Sequence, residues 1–216
     1  MGMPPFVIVN CAMSADGKIA LPSRRQVRLS SEEDMARVHR LRNRCDAILV
    51  GIGTVLEDDP GLMVKEKYVK KVRQPLRVVL DSLGRTPAGA KVVSPGAPTL
   101  IATTRPVPRG RWGPNAEAMV LGAGAAVSLK RLLAELERRG VRRLMVEGGS
   151  EVIWSFLREG LADRLMIYVG SLVIGGKGPT PAGGKGVAAL EQATRLRLLC
   201  TRRLGDGVLL VYGPIR

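Results

Sequence analysis

The apolar residues of this chain fall into short continuous runs rather than alternating with polar residues. The runs are "PFVIVNCAM", "AILVGIGTV", "LRVVLDSLG", "PTLIATT" and "AEAMVLG". Strands that are covered on both faces carry such runs, which are typical of a mainly parallel sheet. The sequence therefore predicts five such strands, with "AILVGIGTV" running on into "TVLEDDPGL".

Two segments between these runs have apolar residues at helical spacing. In "LSSEEDMARVHRLRNRCD", Ser30 and Glu33 suggest a capping box, and acidic residues precede basic ones, as the helix dipole favours. The apolar stripe of this helix consists of Met35, Val38, Leu41 and Cys45. "SLKRLLAELERRG" predicts a second helix, with Ser128 as its N-cap and Gly140 at its end. The buried side of that helix consists of Leu129, Leu132, Leu133 and Leu136.

The last part of the chain has a different pattern. "RLMIYVGSLVIGG", "LRLLCTRRL" and "GVLLVYG" read as extended segments, and "GDG" between the last two predicts a hairpin. The sheet should therefore end antiparallel. The glycine- and proline-rich segment 175–186 is either a surface excursion or a loop that covers a site. Since no linker or internal repeat stands out, we expect one α/β domain over residues 1–216.

A glycine turn joins a strand to a helix in "LMVEGGSEVIWSFLREG". Glu147, Gly148 and Gly149 follow the apolar strand, and Gly160 stands where a left-handed C-terminal cap is common. Such a turn directs backbone N–H groups and the positive helix end outward, so an anion can bind there, and Ser150 could cap the helix. The alternative is that the glycines only form a tight turn.

Composition restricts the class of protein. The chain has 216 residues, of which 45% are hydrophobic and 25% charged, as in an ordinary globular protein. No apolar run has the length of a membrane span and "MGMPPFVIVNCAMS" lacks a basic region ahead of its apolar stretch, so we expect a cytoplasmic protein. The widely spaced Cys11, Cys45 and Cys200 and the single His39 predict neither a disulfide framework nor a metal site. His39 should serve packing or lie at the surface.

The formal charge of +15 raises the possibility of nucleic-acid binding. The basic residues are spread over many elements, aromatic residues make up only 3% of the chain, and no nucleic-acid motif is present. Attraction of phosphorylated small molecules explains the charge equally well.

A second glycine segment offers an alternative nucleotide site. "LGAGAA", residues 121–126, follows a strand and precedes the leucine-rich helix, and Glu147 ends the next strand, as in a Rossmann unit. Val127 occupies the place of the third small residue, so the match is incomplete.

Four sequence strings occur in an order that resembles the reductase family of riboflavin biosynthesis. They are S-x-D-G-K, G-x-x-T-V-x-x-D-D-P, V-x-D-S and E-G-G-[ST], within "VNCAMSADGKIA", "GIGTVLEDDPGLMV", "RVVLDSLGRTP" and "LMVEGGSEV". The resemblance implies a dihydrofolate-reductase-like, three-layer α/β/α fold, NADPH as cofactor and a homodimer. It also implies reduction of the ribosylamino group of a pyrimidinone 5′-phosphate to ribitylamino.

The resemblance also implies roles for individual residues. The positions that match cofactor contacts are Thr54, Asp58, Asp81, Ser82, Gly148, Gly149, Ser150 and Glu151. The positions that match substrate contacts are Arg42 and Lys65, near the substrate phosphate, and Glu147. Asp58 is the candidate for proton handling, and Arg85 is a candidate partner of the cofactor 2′-phosphate. The alternatives are a salt bridge for Glu147, surface solvation for Arg42 and Lys65, and a turn role for Asp58.

Two features bear on the substrate. Ahead of the first helix the chain has "RRQVRLSS", where family members often carry Ser and an aromatic residue or Lys, so Gln26, Val27 and Arg28 depart from the family. The H-x-E and P-C-x-x-C elements of a zinc deaminase are absent. We therefore expect a standalone reductase that acts before deamination. The alternative functions are a non-catalytic nucleotide-binding regulator and a nucleic-acid binder.

Overall fold

The computed structural model of the chain describes residues 3–25 and 27–215, so Gln26 lies outside the described residues. Its α-helices are α1 Glu32–Arg44, α2 Ile52–Asp58, α3 Leu129–Arg138 and α4 Ser150–Arg158. Its strands are β1 Phe6–Ser14, β2 Ala47–Gly51, β3 Leu76–Leu80, β4 Thr99–Thr103, β5 Ala116–Val120, β6 Gly122–Ala123, β7 Ala126–Val127, β8 Arg143–Val146, β9 Arg164–Gly170, β10 Leu196–Leu204 and β11 Gly207–Pro214.

The chain divides into two compact units. Unit 1 comprises the described residues within Met1–Phe6 and His39–Met145, and unit 2 comprises those within Val7–Val38 and Val146–Arg216. Each unit is thus built from two separate stretches of sequence. One domain over 1–216 stays a prediction.

Unit 1 contains a parallel ladder of strands, as the continuous apolar runs predict. Strand β2 pairs with β3, β3 with β4 and β4 with β5, all in parallel. Val50 lies beside Val79, and Val79 lies beside Ile101. Strands β2 and β4 are buried along their full length. The prediction that β5 is also covered on both faces is wrong, because β5 ends the ladder and its residues are exposed or only partly buried.

Helix α3 is the element of unit 1 that agrees most closely with its sequence pattern. The Oγ of Ser128 accepts a hydrogen bond from the N–H of Arg131 at 3.3 Å, so Ser128 is the N-cap. Gly140 has a φ of +78°, which a glycine adopts without strain. The side chains buried by this helix are those of Leu129, Leu132, Leu133 and Leu136. Local spacing was sufficient here because one helix face carries all the large apolar residues.

The second predicted strand is too long. Strand β2 ends at Gly51, and Ile52 begins helix α2. The side chains of Ile52 and Val55 are buried, whereas Gly53, Leu56 and Glu57 are exposed. Burial at a spacing of three residues belongs to a helix, and a short apolar run does not distinguish helix from strand by itself.

The 121–126 segment forms no nucleotide-binding turn. Strands β6 and β7 make a small antiparallel hairpin, and Gly124 at its tip has a φ of +77°. A Cβ atom on Gly122 would lie 2.8 Å from the carbonyl oxygen of Ala126, so glycine is needed inside the hairpin. Ser128 caps the following helix. The Rossmann alternative is therefore wrong, because the glycines serve the hairpin and not a helix N-terminus.

Unit 2 combines parallel and antiparallel pairing. Strand β1 pairs with β9 in parallel, whereas β11 pairs antiparallel with both β9 and β10. Leu204 pairs with Gly207, so the two-residue turn of Gly205 and Asp206 forms the hairpin that "GDG" predicts. The antiparallel end of the sheet is confirmed. The first of the three extended segments, "RLMIYVGSLVIGG", is shorter than predicted, since β9 ends at Gly170.

Helix α1 begins differently from the predicted capping box. The Oγ of Ser31 accepts from the N–H of Asp34 at 3.2 Å, so Ser31 and not Ser30 caps the helix, and Glu33 is exposed. Arg37 pairs with Asp34 at 2.7 Å and donates to Asn10 of β1 at 2.8 Å, and both charged side chains are buried. The apolar pattern predicts that Met35 and Leu41 are buried, but both are only partly buried. The charged pair of Asp34 and Arg37 is buried instead.

Candidate functional site

The glycine turn of unit 2 lies between β8 and α4. Gly148 has a φ of +132° and Gly149 a φ of +47°, and a residue with a side chain would be strained at either value. The carbonyl of Gly149 accepts from the N–H of Ile153 at 3.0 Å, so Gly149 is the N-cap of α4. The prediction that Ser150 caps the helix is wrong, because Ser150 is already the first helical residue.

The N-cap residue of α4 is a glycine and has no side chain with which to cap the helix, which suits an anion site. A helix leaves its first backbone N–H groups without intrahelical acceptors, and these groups add to the positive end of the helix dipole. Gly149, as the N-cap, makes no side-chain hydrogen bond to the first turn. The residues present therefore fit the diphosphate of a nucleotide cofactor.

Two predicted carboxylates flank this turn. Glu147 follows β8 and is half-buried, whereas Glu151 lies in the first turn of α4 and is exposed. A half-buried carboxylate at a strand end can accept hydrogen bonds from ligand hydroxyl or amino groups. Glu151 can interact favourably with the helix dipole without entering the turn itself.

The glycine- and proline-rich loop of unit 2 contacts the start of α4. The N–H of Gly183 donates to the carbonyl of Ser150 at 3.0 Å. A Cβ on Gly183 would lie 2.7 Å from the Oγ of Ser150, and one on Gly184 would lie 2.6 Å from Cδ1 of Trp154. The loop thus packs against the helix that follows the glycine turn, so it is more than a surface excursion.

Helix α2 of unit 1 carries Thr54 and Asp58 one turn apart, on the same helix face. Partial burial, and next the charge of Glu57, raise the pKa of the Asp58 carboxyl above its usual range. A carboxyl with a raised pKa is better suited to donate a proton near neutral pH than an ordinary one.

The neighbouring Asp59 takes the turn role that was the alternative for Asp58. Asp59 has a φ of +42° and ends α2. Its Oδ1 accepts from the N–H of Lys91 at 2.8 Å, and its Oδ2 lies 3.3 Å from the Lys91 Nζ. Asp58 therefore does not have to shape the turn.

Asp81 ends β3 and organises the loop that follows. Its carboxylate is fully buried, and Oδ2 accepts from the N–H of Thr86 at 2.7 Å and from its Oγ1 at 2.8 Å. The indole N–H of Trp112 donates to the Thr86 carbonyl at 2.8 Å. The carbonyl of Ser82 accepts from the N–H of Thr104 at 3.1 Å. Ser82 and the exposed Arg85 therefore lie on a loop that is fixed at both ends.

One oxygen of Asp81 has no hydrogen-bond partner among the residues that the structure describes. Within the described residues, its Oδ1 is buried and accepts no hydrogen bond. A buried acceptor without a partner is costly, and a hydroxyl or amide donor of a ligand would satisfy it. The unpartnered Oδ1 fits a nucleotide cofactor at the end of β3, and Oδ2 of the same carboxylate holds the loop that follows.

In unit 1, helix α1, which carries Arg42, is hydrogen-bonded to the segment that contains Lys65. The Nη1 of Arg42 donates to the carbonyl of Met63 at 3.1 Å. The backbone N–H of Lys65 donates to Nδ1 of His39, one turn before Arg42 on α1, at 3.2 Å. The Lys65 side chain is exposed. Two cations of the types that bind phosphate thus belong to one neighbourhood.

The segment that ends at Lys65 is held in a strained conformation. Leu62 has a φ of +51°, which is uncommon for a residue with a branched side chain. The side-chain amide of Gln74 accepts from the N–H of Val64 at 2.8 Å and donates to its carbonyl at 3.0 Å. Strain of this kind persists only where surrounding contacts enforce it, and it is frequent at functional sites.

Sequence reasoning gave His39 only a packing or a surface role. Its side chain is buried, and its ring stacks on Tyr68 with centroids 4.6 Å apart and planes 12° apart. The packing prediction is confirmed, and the hydrogen bond to Lys65 adds a positioning role. The only available signal was that the chain has a single histidine. No feature of the sequence indicated that Gln74 would hold the segment before Lys65.

Two negative findings concern the part of the chain that the structure describes. It contains no group of three or more His, Cys, Asp or Glu residues that could hold a metal ion. None of its helices is long and apolar enough to cross a membrane.

Fold and site together define an α/β protein with a helix N-terminus suited to a phosphate-bearing ligand. Residues 5–210 match the family described as the RibD C-terminal domain. The chain belongs to this family, as its sequence strings indicated.

Curated relatives resemble the chain over nearly its full length. A 2,5-diamino-6-ribosylamino-4(3H)-pyrimidinone 5′-phosphate reductase of Archaeoglobus fulgidus is 44% identical over 95% of this chain and 96% of its own. The protein of the same name from Methanothermobacter thermautotrophicus is 40% identical over 97% of this chain and 98% of its own. The relatives are reductases, so the chain is an oxidoreductase.

Solved structures agree with the sequence relatives. A deaminase and uracil reductase of Thermotoga maritima superimposes with a TM-score of 0.84 at 26% identity. The alignment covers 98% of this chain but only 57% of that one. The riboflavin biosynthesis reductase Rib7 of Saccharomyces cerevisiae gives a TM-score of 0.74 at 25% identity, covering 98% of this chain and 90% of that one. The dihydrofolate-reductase-like fold is thus confirmed.

Proposed function

We propose that the chain reduces the ribosylamino group of 2,5-diamino-6-ribosylamino-4(3H)-pyrimidinone 5′-phosphate to ribitylamino, a step of riboflavin biosynthesis. The observation that carries the proposal is the 44% identity to a relative of that name, over 96% of the relative's length. Turnover separates this function from a non-catalytic regulator: purified protein should oxidise the reduced cofactor only when the pyrimidinone is added.

NADPH is the proposed cofactor, and it would supply the hydride. The first N–H groups of α4 would bind its diphosphate, where Gly148 and Gly149 keep side chains away from the turn. The loop after Asp81 would present Ser82, with Arg85 beside the 2′-phosphate. Thr54 on α2 and Glu151 on α4 complete the proposed cofactor contacts.

The ratio of kcat/KM for NADPH to that for NADH tests the cofactor preference. Arg85→Ala should reduce this ratio, because only NADPH carries the 2′-phosphate that a guanidinium can bind. Arg131→Ala, another exposed arginine of unit 1, serves as the control for loss of one positive charge. An unchanged ratio in Arg85→Ala would remove Arg85 from this role.

Four side chains are proposed to act on the substrate. Arg42 and Lys65 would bind its phosphate, and Asp58 would handle the proton that accompanies the hydride. Glu147 would accept hydrogen bonds from ribose hydroxyls or from an amino group of the pyrimidine.

The preferred substrate should be the diamino compound rather than its deaminated uracil analogue. A pocket acceptor, either a backbone carbonyl or Glu147, would receive the C2 amino group. The deaminated base has a carbonyl there and would leave that acceptor unpaired, at a cost of about 1 to 3 kcal/mol. Steady-state oxidation of NADPH with each compound tests this preference. A kcat/KM for the deaminated compound equal to or above that for the diamino compound would overturn it.

We also propose that the protein is a homodimer, as the resemblance implies. Sedimentation equilibrium at several protein concentrations tests this assembly. A mass of about 23.2 kDa at all concentrations, that of one chain, would contradict it.

A further inference from the structure

Asp16 joins the end of β1 to a distant loop of unit 2. Its Oδ1 accepts from the N–H of Ile174 at 3.0 Å, and its Oδ2 accepts from the N–H of Gly175 at 2.7 Å. The Ser14 hydroxyl also donates to Oδ1, at 2.6 Å. These hydrogen bonds lower the pKa of the exposed Asp16 carboxyl to about 2, so Asp16 is ionised near neutral pH.

Backbone hydrogen bonds continue this attachment along the loop. The N–H of Ala15 donates to the carbonyl of Leu172 at 2.8 Å, and the N–H of Ile19 donates to that of Pro179 at 2.9 Å. A Cβ on Gly178 would lie 2.7 Å from the carbonyl oxygen of Ala20. The loop therefore lies directly against the segment that follows β1.

The far end of the same loop lies against the start of α4. The N–H of Gly183 donates to the carbonyl of Ser150, and a Cβ on Gly183 would lie only 2.7 Å from the Ser150 Oγ. Ser150 follows directly after the two glycines whose φ values are positive. The loop is thus anchored at one end by Asp16 and contacts the proposed diphosphate turn at the other.

We propose that Asp16 is a positioning residue for the cofactor-binding turn. By fixing the backbone at Ile174 and Gly175, it holds Gly183 against Ser150 and keeps the first turn of α4 in the conformation that binds the diphosphate. This inference rests on the proposed function of that turn. In this role Asp16, the acidic residue of S-x-D-G-K, positions the backbone and does not have to contact a ligand.

Ionic hydrogen bonds suit this task. A carboxylate that accepts from two successive backbone N–H groups fixes both peptide planes, and charge-assisted bonds are roughly twice as strong as neutral ones. An asparagine at position 16 offers one acceptor oxygen, and its amide group would face the second N–H. Asp16→Asn should therefore act almost like Asp16→Ala.

The test compares cofactor binding with substrate binding in five variants. Asp16→Ala should raise the Kd and the KM for NADPH about five- to tenfold, with kcat and the KM for the pyrimidinone changed less than about twofold. Glu191→Gln, which removes one exposed carboxylate of the same unit, is the matched control and should behave as wild type. Hydrogen exchange of the amides of residues 174, 175 and 183 should accelerate in Asp16→Ala.

Gly183→Ala tests the far end of the same connection. The φ of Gly183 is not positive, so alanine adds only the clash with Ser150. It should weaken NADPH binding as Asp16→Ala does. The double variant should lose much less than the product of the two single losses, because residues that act through one connection are not additive.

The outcomes separate the inference from the proposed function. If the wild-type protein does not bind NADPH, the proposed function of the turn fails. If wild type binds NADPH and both single variants bind it within about twofold of wild type, although exchange at residue 183 is faster, the positioning role is wrong. Purely multiplicative losses in the double variant would also contradict it. If Asp16→Ala does not fold, Gly183→Ala still decides the question at the Ser150 end.

Discussion

The two units of this protein carry two proposed phosphate sites of different kinds. In unit 2 the proposed anion site consists of backbone N–H groups, which two glycines with positive φ expose at the start of α4. In unit 1 it consists of the side chains of Arg42 and Lys65. The first arrangement follows from backbone conformation, whereas the second depends on long side chains.

The contacts that maintain the two sites differ accordingly. The glycine turn is set by local backbone preference, and a loop packs against it. The position of Lys65 depends on the backbone of its segment. The side chain of His39 accepts from the N–H of Lys65, and the side chain of Gln74 binds the N–H and the carbonyl of Val64. A backbone site should therefore be sensitive to any added side chain, and a side-chain site to loss of its supports.

The largest expected effect concerns Asp58, the side chain that is proposed to handle the proton. Asp58→Asn should reduce kcat about a hundredfold, because general acid catalysis contributes about 10²- to 10⁴-fold. Asp59→Asn is the matched control and should cost stability but little activity, since Asp59 holds Lys91. Steady-state kinetics and thermal unfolding of both variants separate the roles. If only Asp59→Asn lost activity, Asp59 and not Asp58 would be the residue that handles the proton.

Asp58→Asn also has an expected sign for stability. Burial raises the pKa of Asp58 in the folded protein, so the folded state binds this proton more tightly than the unfolded chain does. Below the pKa that Asp58 has in the unfolded chain, its burial does not reduce the free energy of unfolding. The free energy of unfolding falls as pH rises from that value through the raised pKa of the folded protein. Asp58→Asn should therefore be slightly more stable than wild type at neutral pH and not at acid pH. A loss of stability at neutral pH would contradict this expectation.

The next effect tests the backbone site. Gly149→Val should weaken NADPH binding at least about tenfold, or 1.4 kcal/mol, because a branched side chain would stand where the diphosphate approaches. Its φ of +47° adds backbone strain of about 1 to 3 kcal/mol, which should not prevent folding. Calorimetric titration with NADPH measures the affinity.

Gly160→Val is the control for that strain. Gly160 has a φ of +65° just beyond the other end of α4, and a Cβ there would meet nothing within 4 Å. This variant should lose similar stability and keep its NADPH affinity. Equal affinity losses in the two variants would mean that strain, and not the turn, controls binding.

A smaller effect is expected from the side-chain site. Lys65→Ala should raise the KM for the phosphorylated substrate about fivefold or more and lower kcat less, because a remote phosphate contact mainly contributes to binding. The dephosphorylated substrate is the control, since it has nothing for Lys65 to bind. Equal losses on both substrates would exclude Lys65 from phosphate binding.

The smallest effect tests the support of that lysine. His39→Phe preserves an aromatic ring for Tyr68 but removes the acceptor for the Lys65 N–H, whereas His39→Asn preserves an acceptor and removes the ring. A lost hydrogen bond contributes about 0.5 to 1.5 kcal/mol, so His39→Phe should raise the KM for the phosphorylated substrate about threefold. His39→Asn should recover part of that loss. An equal KM in both variants would mean that the hydrogen bond does not position Lys65.

Much of the candidate site could be located from the sequence because its motifs are short and continuous. Gly148 and Gly149 stand between an apolar strand and an amphipathic helix, which is enough to predict an anion-binding turn. Asp58 and Asp59, in contrast, are adjacent acids with the same local pattern. Only the structure distinguishes them, because one carboxylate reaches Lys91 and the other lies in a partly buried place that raises its pKa.

What the sequence alone determined are the features that depend on neighbours along the chain. The buried runs gave the strands of the parallel ladder, the leucine spacing and Ser128 gave α3, and "GDG" gave the terminal hairpin. A side chain's period and a glycine's freedom of φ act within a few residues, so a pattern can record them.

Only the tertiary structure decided the features that join distant residues. Strand β5 lies at the end of its ladder and is therefore exposed or only partly buried. His39 is hydrogen-bonded to Lys65, 26 residues away. Asp16 is likewise hydrogen-bonded to Ile174, 158 residues away. The identity of an acceptor or of a covering layer depends on where the chain returns in space, and the local periodicity of a segment carries no information about that return.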